Sequence, residues 1–217
     1  MATNTDRCTL ILLAHPGGSD LAALTSAVNS QTLQSCILYP GESSQADFSD
    51  YCQSAVPVLQ DAGVAALIAN DTRVLGRSKA DGLFVQENRN QLKDLVARYT
   101  PDLIVGCGGF KDRHGAMEVG EAKPDFVFFG RLGGDIRGDA HPKNLMLSKW
   151  WADIIEIPSV VLAGSSLESI VDCALTGADF VAVESYAFAG DADPAEQLIR
   201  ADEQLEQYAP RFEEFEA

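Results

Sequence analysis

Eight short apolar runs recur along the chain, each followed by a polar or glycine break and a helix-length stretch, and this alternation limits the folds open to it. The runs fall at 8–14, 35–39, 64–69, 82–85, 102–106, 125–129, 159–162 and 180–183. The first reads CTLILLA, too continuously apolar for a strand with one wet face. Such strands are predicted to be parallel and covered on both faces. Helix starts carry matching signals. Ser19-Asp20 precedes LAALTSAV, Ser165-Ser166-Leu167-Glu168 precedes SIVDCAL, and Asp193-Pro194 opens the last helix. Three strand starts resemble one another: KADGLFV at 79–85, KPDFVF at 123–128 and GADFVAV at 177–183, with YTPDLIV at 99–105 close to them. An Asp before a strand can bond nearby backbone N–H groups, which gives Asp81, Asp102, Asp125 and Asp179 a structural role on the N-terminal face of the sheet. Repeated units of this kind predict a (β/α)8 TIM barrel, one domain over residues 1–217, with an open doubly wound sheet as the alternative.

Composition narrows what such a barrel meets. A formal charge of −16 argues against nucleic acid, which is bound by neutralising phosphates with Lys and Arg. A phosphate site would have to be made locally, from backbone N–H groups at helix N-termini. No apolar run approaches the roughly 20 residues that span a bilayer, so no membrane partner is expected. Residues 1–7 are polar and lead straight into a strand, unlike a signal peptide. Five scattered cysteines without CxxC spacing point to reduced thiols and a cytoplasmic protein. Residues 191–216 read as a solvated, acidic final helix with Leu198, Leu205 and Phe212 on one stripe. A homo-oligomer is compatible with all of this.

In a barrel the chemistry belongs to the loops after the strands. Strand seven ends in Gly164-Ser165-Ser166 with a helix starting at once, and strand eight ends in Glu184-Ser185. Loops seven and eight commonly hold a phosphate, so Gly164, Ser165, Glu184 and Ser185 are candidates for binding a phosphorylated small molecule. An inward-pointing Glu184 would count against it, because a carboxylate repels phosphate. Strand three ends in Asn70-Asp71, where Asp71 is a candidate Mg²⁺ ligand or a helix cap. The loop at 130–143 is glycine-rich with cations at Arg131, Arg137 and Lys143, and reads either as a lid or as a surface loop. His15, after strand one, reads as a packing group or a catalyst.

Three segments resemble the thiamine-phosphate synthase family, which includes the thiazole tautomerases. They are AALIAND followed by ADGLFV, IVGCG followed by PDFVFFG, and IPSVVLAG followed by GADFVAVES. The resemblance implies a transferase of thiamine biosynthesis that joins a pyrimidine diphosphate to a thiazole phosphate with Mg²⁺. It assigns Asn70 to the pyrimidine diphosphate and Asp71 to Mg²⁺, with Glu87 or Asn88 as a second ligand. It assigns Gly164, Glu184 and Ser185 to the thiazole phosphate. The family's strand-two cations are missing from Leu38-Tyr39-Pro40-Gly41-Glu42, and its threonine-lysine motif after strand six is absent. Arg137 and Lys143 are the candidate substitutes for catalysis. The standard reaction is therefore expected to be absent or very weak, and a non-catalytic barrel that binds such a ligand is the alternative.

Overall fold

A computed structural model describes residues 6–86 and 89–212. The strands are Thr9–Ala14 (β1), Leu33–Leu38 (β2), Ala65–Ala69 (β3), Gly82–Val85 (β4), Ile104–Gly108 (β5), Phe126–Phe129 (β6), Ser159–Leu162 (β7) and Phe180–Val183 (β8). Each is hydrogen-bonded in parallel to the next, and β1 also pairs with β8, which closes the barrel in simple sequence order. The open-sheet alternative is excluded. Between and after the strands lie Leu21–Asn29 (α1), Gln45–Asp61 (α2), Thr72–Ser78 (α3), Leu92–Tyr99 (α4), Arg113–Gly120 (α5), Pro142–Ala152 (α6), Leu167–Ala174 (α7), the single turn Ser185–Phe188 (α8) and Pro194–Tyr208 (α9).

The side-chain period of two divides the core into two clusters. Ile11, Leu13, Ile37, Leu67, Phe84 and Phe128 face the barrel axis and fill it. Their neighbours on the outer faces, such as Leu10, Leu12 and Leu38, pack beneath the helices. A glycine is needed at 106, because a Cβ there would lie 2.0 Å from the Phe126 ring that fills the barrel at that level.

The repeated Asp has a defined task. Asp81, before β4, accepts the Ala66 N–H of β3 at 2.8 Å. Asp125, before β6, accepts the Val105 N–H of β5 at 2.7 Å, and Asp179, before β8, accepts the Ser159 N–H of β7 at 2.7 Å. Each carboxylate thus ties its own strand to the one before it. Asp102 lies exposed in the turn before β5. The helix signals also correspond to caps, with Asp20, Ser166 and Asp193 each accepting a first-turn amide.

Three expectations need correction. β5 begins two residues later than read, at Ile104, because Pro101–Leu103 forms a turn, and it continues through Gly108. β2 begins at Leu33, where Gln34 is an exposed strand residue rather than part of a break. The last helix ends at Tyr208, so Leu198 and Leu205 are buried on its stripe while Phe212 lies beyond it. The five cysteines are all buried, and no disulfide joins them. Among the described residues no helix is long and apolar enough to cross a membrane.

Candidate functional site

The inward register of the strands continues one residue past their ends and sets the floor of the barrel mouth. Ile11 and Leu13 lead to His15, Ile37 leads to Tyr39, and Ala182 leads to Glu184. These three side chains meet. The Tyr39 hydroxyl donates to Glu184 Oε1 at 2.5 Å, His15 Nε2 lies 3.4 Å from the same oxygen, and the His15 and Tyr39 rings are 4.8 Å apart. His15 is held in a slot between glycines, since a Cβ on Gly18 would lie 2.2 Å from its Nε2 and one on Gly41 2.5 Å from its Nδ1.

Glu184 is only 6% exposed, with the Tyr39 hydroxyl and the Gly133 backbone N–H beside its carboxyl. Burial pushes its carboxyl up to about 7, against the hydrogen bond from Tyr39, and the nearby Asp135 carboxylate pushes the same way. Burial also holds His15 below its ordinary value, so both shifts move the pair toward its neutral form. Glu184 therefore turns inward, into a protein-made cluster.

The other expected phosphate groups are met by the chain's own loop. Between β6 and α6 that loop folds over the ends of β7 and β8. Ser165 N–H donates to the Arg137 carbonyl at 2.8 Å and Ser166 N–H to the Gly138 carbonyl at 3.1 Å. Ser185 N–H donates to Asp135 Oδ2 at 2.5 Å, and Asp135 is buried. Gly164 N–H donates to Ser169 Oγ at 3.0 Å. Of the two readings of this loop, the structure gives one pinned into the mouth. A Cβ on Gly164 would lie 2.2 Å from the Gly138 carbonyl oxygen and 2.6 Å from that of Arg137. Gly164→Ala should therefore lift the loop, and limited trypsin digestion should cleave after Arg137 faster than in the wild type. Equal cleavage rates would show that the loop is not seated on Gly164.

Asn70 and Asp71 act at the start of α3. Asn70 adopts a left-handed backbone, φ 58°, which asparagine tolerates, and its Oδ1 accepts the Gln86 N–H at 2.8 Å. Asp71 is the N-cap. Its Oδ1 takes the Arg73 and Val74 amides and its Oδ2 takes Gln45 Nε2 at 2.8 Å. Burial works to raise the Asp71 carboxyl, but these bonds hold it below the usual carboxylate range. Asp71→Ala should lower stability by about 0.5–2 kcal/mol, the ordinary worth of such a cap, read from denaturant midpoints. A loss well under that range would remove the cap role. No group of three or more His, Cys, Asp or Glu among the described residues could hold a metal, and both Asp71 oxygens are engaged. Glu87 and Asn88 lie outside the described residues.

Part of the mouth is open beside the β6–α6 loop. A cavity of about 530 Å³ runs between the ends of β4, β5 and β6 and the start of α6, lined by Lys111, Arg131, Lys143, His141, Gln86 and Asn144 together with apolar and glycine residues. Lys143 reaches this cavity. Arg137 instead borders a neighbouring one of about 380 Å³ with Asp135 and Asp139.

Residues 8–187 match the family described as thiamine monophosphate synthase. The chain belongs to that family. Thiamine-phosphate synthases from Erythrobacter litoralis and Hyphomonas neptunium are each 33% identical to it over 138 residues. The matches cover 62% and 63% of this chain and only 65% and 62% of those relatives, so the chain spans under two thirds of their length. Among solved structures, a thiamine phosphate pyrophosphorylase from Pyrococcus furiosus aligns with TM-score 0.78 at 14% identity, covering 94% of this chain and 99% of that one. A (S)-3-O-geranylgeranylglyceryl phosphate synthase from Thermoplasma acidophilum aligns with TM-score 0.65 at 15% identity, covering 93% and 94%. At these identities the likeness shows the fold.

Sequence reasoning missed Tyr39 and Asp135. Tyr39 was visible as the residue two beyond Ile37 in the inward register of strand two. Asp135 carried no local signal, because only the packing of loop six against β7 and β8 gives it a partner.

Proposed function

We propose that this barrel serves thiamine biosynthesis in the cytoplasm by binding a phosphorylated heterocycle at its mouth, and that it retains at most a slow form of the family's condensation. The family match supports the pathway. The observation that carries the ligand class is the cavity beside β5 and β6, where Lys111, Arg131 and Lys143 converge in a chain with twice as many acidic as basic residues. Cations grouped in this way suit a phosphate or diphosphate. Lys143 is the retained catalytic candidate, placed to meet charge on a departing diphosphate. Arg137 contributes through its carbonyl, which holds Ser165. Magnesium is assigned to the ligand's own diphosphate, with water completing its shell, as that ion commonly binds.

A second reading, a barrel that binds such a ligand without turning it over, is favoured by Asp135 standing where a substrate phosphate was expected. Calorimetry with the thiazole phosphate and the pyrimidine diphosphate tests the shared claim. Binding of either at micromolar concentration supports it, and binding of neither at millimolar concentration would sink it.

A further inference from the structure

We infer that the anion site of this chain has moved within the barrel mouth: the cavity of Lys111, Arg131 and Lys143 takes the phosphate or diphosphate, while the chain's own Asp135 closes the cup between β7 and β8. The inference rests on the reading that the ligand is phosphorylated and names where that group sits.

Two independent observations point the same way. The first is that four amides of the cup are already engaged. The N–H groups of Gly164, Ser165, Ser166 and Ser185 all donate to acceptors within the chain. One of those acceptors is a buried carboxylate, with Glu184 beside it, so an incoming phosphate would meet two acidic groups rather than free donors. Backbone packs against Gly164 at distances that leave no room even for a methyl group.

The second observation is the chemistry of the cavity beside the ends of β5 and β6. Three cationic side chains line it, and among the described residues no carboxylate does. That separation of charge is notable in a protein with 32 Asp and Glu against 16 Lys and Arg. His141 adds a donor. It caps α6 by accepting the Lys143 N–H on Nδ1 at 3.2 Å, so the proton of the neutral ring is on Nε2. The three cations come from the connection after β5 and from the two ends of the connection between β6 and α6. A volume of about 530 Å³ has room for a diphosphate and part of its organic group.

Inorganic diphosphate is the probe. Calorimetry gives the affinity of the wild type and of Lys111→Ala/Lys143→Ala, two exposed positions whose loss leaves the core intact. Amide chemical shifts report which face responds. The expected result is binding to the wild type that weakens roughly a hundredfold in the double variant, about tenfold per cation lost. The amides of Ser165, Ser166 and Ser185 should not move. In Asp135→Asn, which removes the internal charge, the Ser185 amide should begin to respond to inorganic phosphate.

Binding that is indifferent to the two lysines and shifts Ser165 and Ser185 in the wild type would overturn the inference. So would the absence of diphosphate binding. These failures differ from failure of the functional reading. If the organic phosphates bind in calorimetry while the lysine variant behaves as wild type, the ligand class stands and the relocated site falls.

Discussion

Incubated with hydroxymethylpyrimidine diphosphate, thiazole phosphate and Mg²⁺, the protein is expected to form thiamine phosphate far more slowly than a synthase with a full set of anion contacts. The second strand ends in Tyr39, Pro40 and Gly41, where no side chain can take up the charge of a leaving diphosphate. The cup for the other phosphate is held by Asp135 and two loop carbonyls. Each charge-assisted contact to a phosphate is worth roughly 1.5–3 kcal/mol. Losing two or three raises the barrier by about 3–9 kcal/mol, a fall of roughly 10² to 10⁶ in rate. Product formation over hours, followed by chromatography, measures it. Turnover of about 1 s⁻¹ or more would refute the expectation and give the missing work to loop six, in which case Lys143→Ala should abolish it.

The second large effect concerns Glu184 and pH. Its folded value, about 7, lies above its ordinary 4.5, so the folded state keeps a proton that the unfolded chain releases between those two values. Stability therefore falls as pH rises through that window and stays lower above pH 7. The full difference is at most about 3 kcal/mol, from 1.36 kcal/mol per pH unit. Glu184→Gln keeps an oxygen for the Tyr39 hydroxyl and carries no charge. The variant should exceed the wild type in stability at pH 8 and match it near pH 5. Denaturant unfolding at the two pH values reads the effect, and a difference that does not change with pH would remove it.

Much of the fold was written locally. The bounds of β4, β7 and β8 were read as found, because Asp or Ser marks each start and glycine or a polar residue each end. Asp20, Ser166 and Asp193 were legible as caps for the same reason, since a cap needs only residues within one turn. The ends of β2 and β5 were less clear, because Gln34 sits at a register shift between the pairs Leu10–Leu33 and Ile11–Ser35, and Gly108 resembles a break until Phe128 is seen to pair with it. The site was legible only in outline. Asn70, Asp71 and Gly164 were recognised as special positions, yet their partners are Gln86, Gln45 and the loop carbonyls, all distant in sequence. The same holds for Asp135, whose contact with Ser185 spans 50 residues. Register, by contrast, does carry over distance, and it alone would have turned His15, Tyr39 and Glu184 toward one another.

The contact between Asp135 and Ser185 also sets a competition. A carboxylate tethered a few residues from the end of β6 is present at the cup at an effective concentration on the order of millimolar. A free phosphate ester at micromolar concentration must bind the cup amides far more tightly than that carboxylate does in order to replace it. Gly at this one position would release the Ser185 amide, while the Arg137 and Gly138 carbonyls would still hold Ser165 and Ser166. A single nucleotide change converts an Asp codon to a Gly codon, so one amide of the cup stands one mutational step from meeting a ligand.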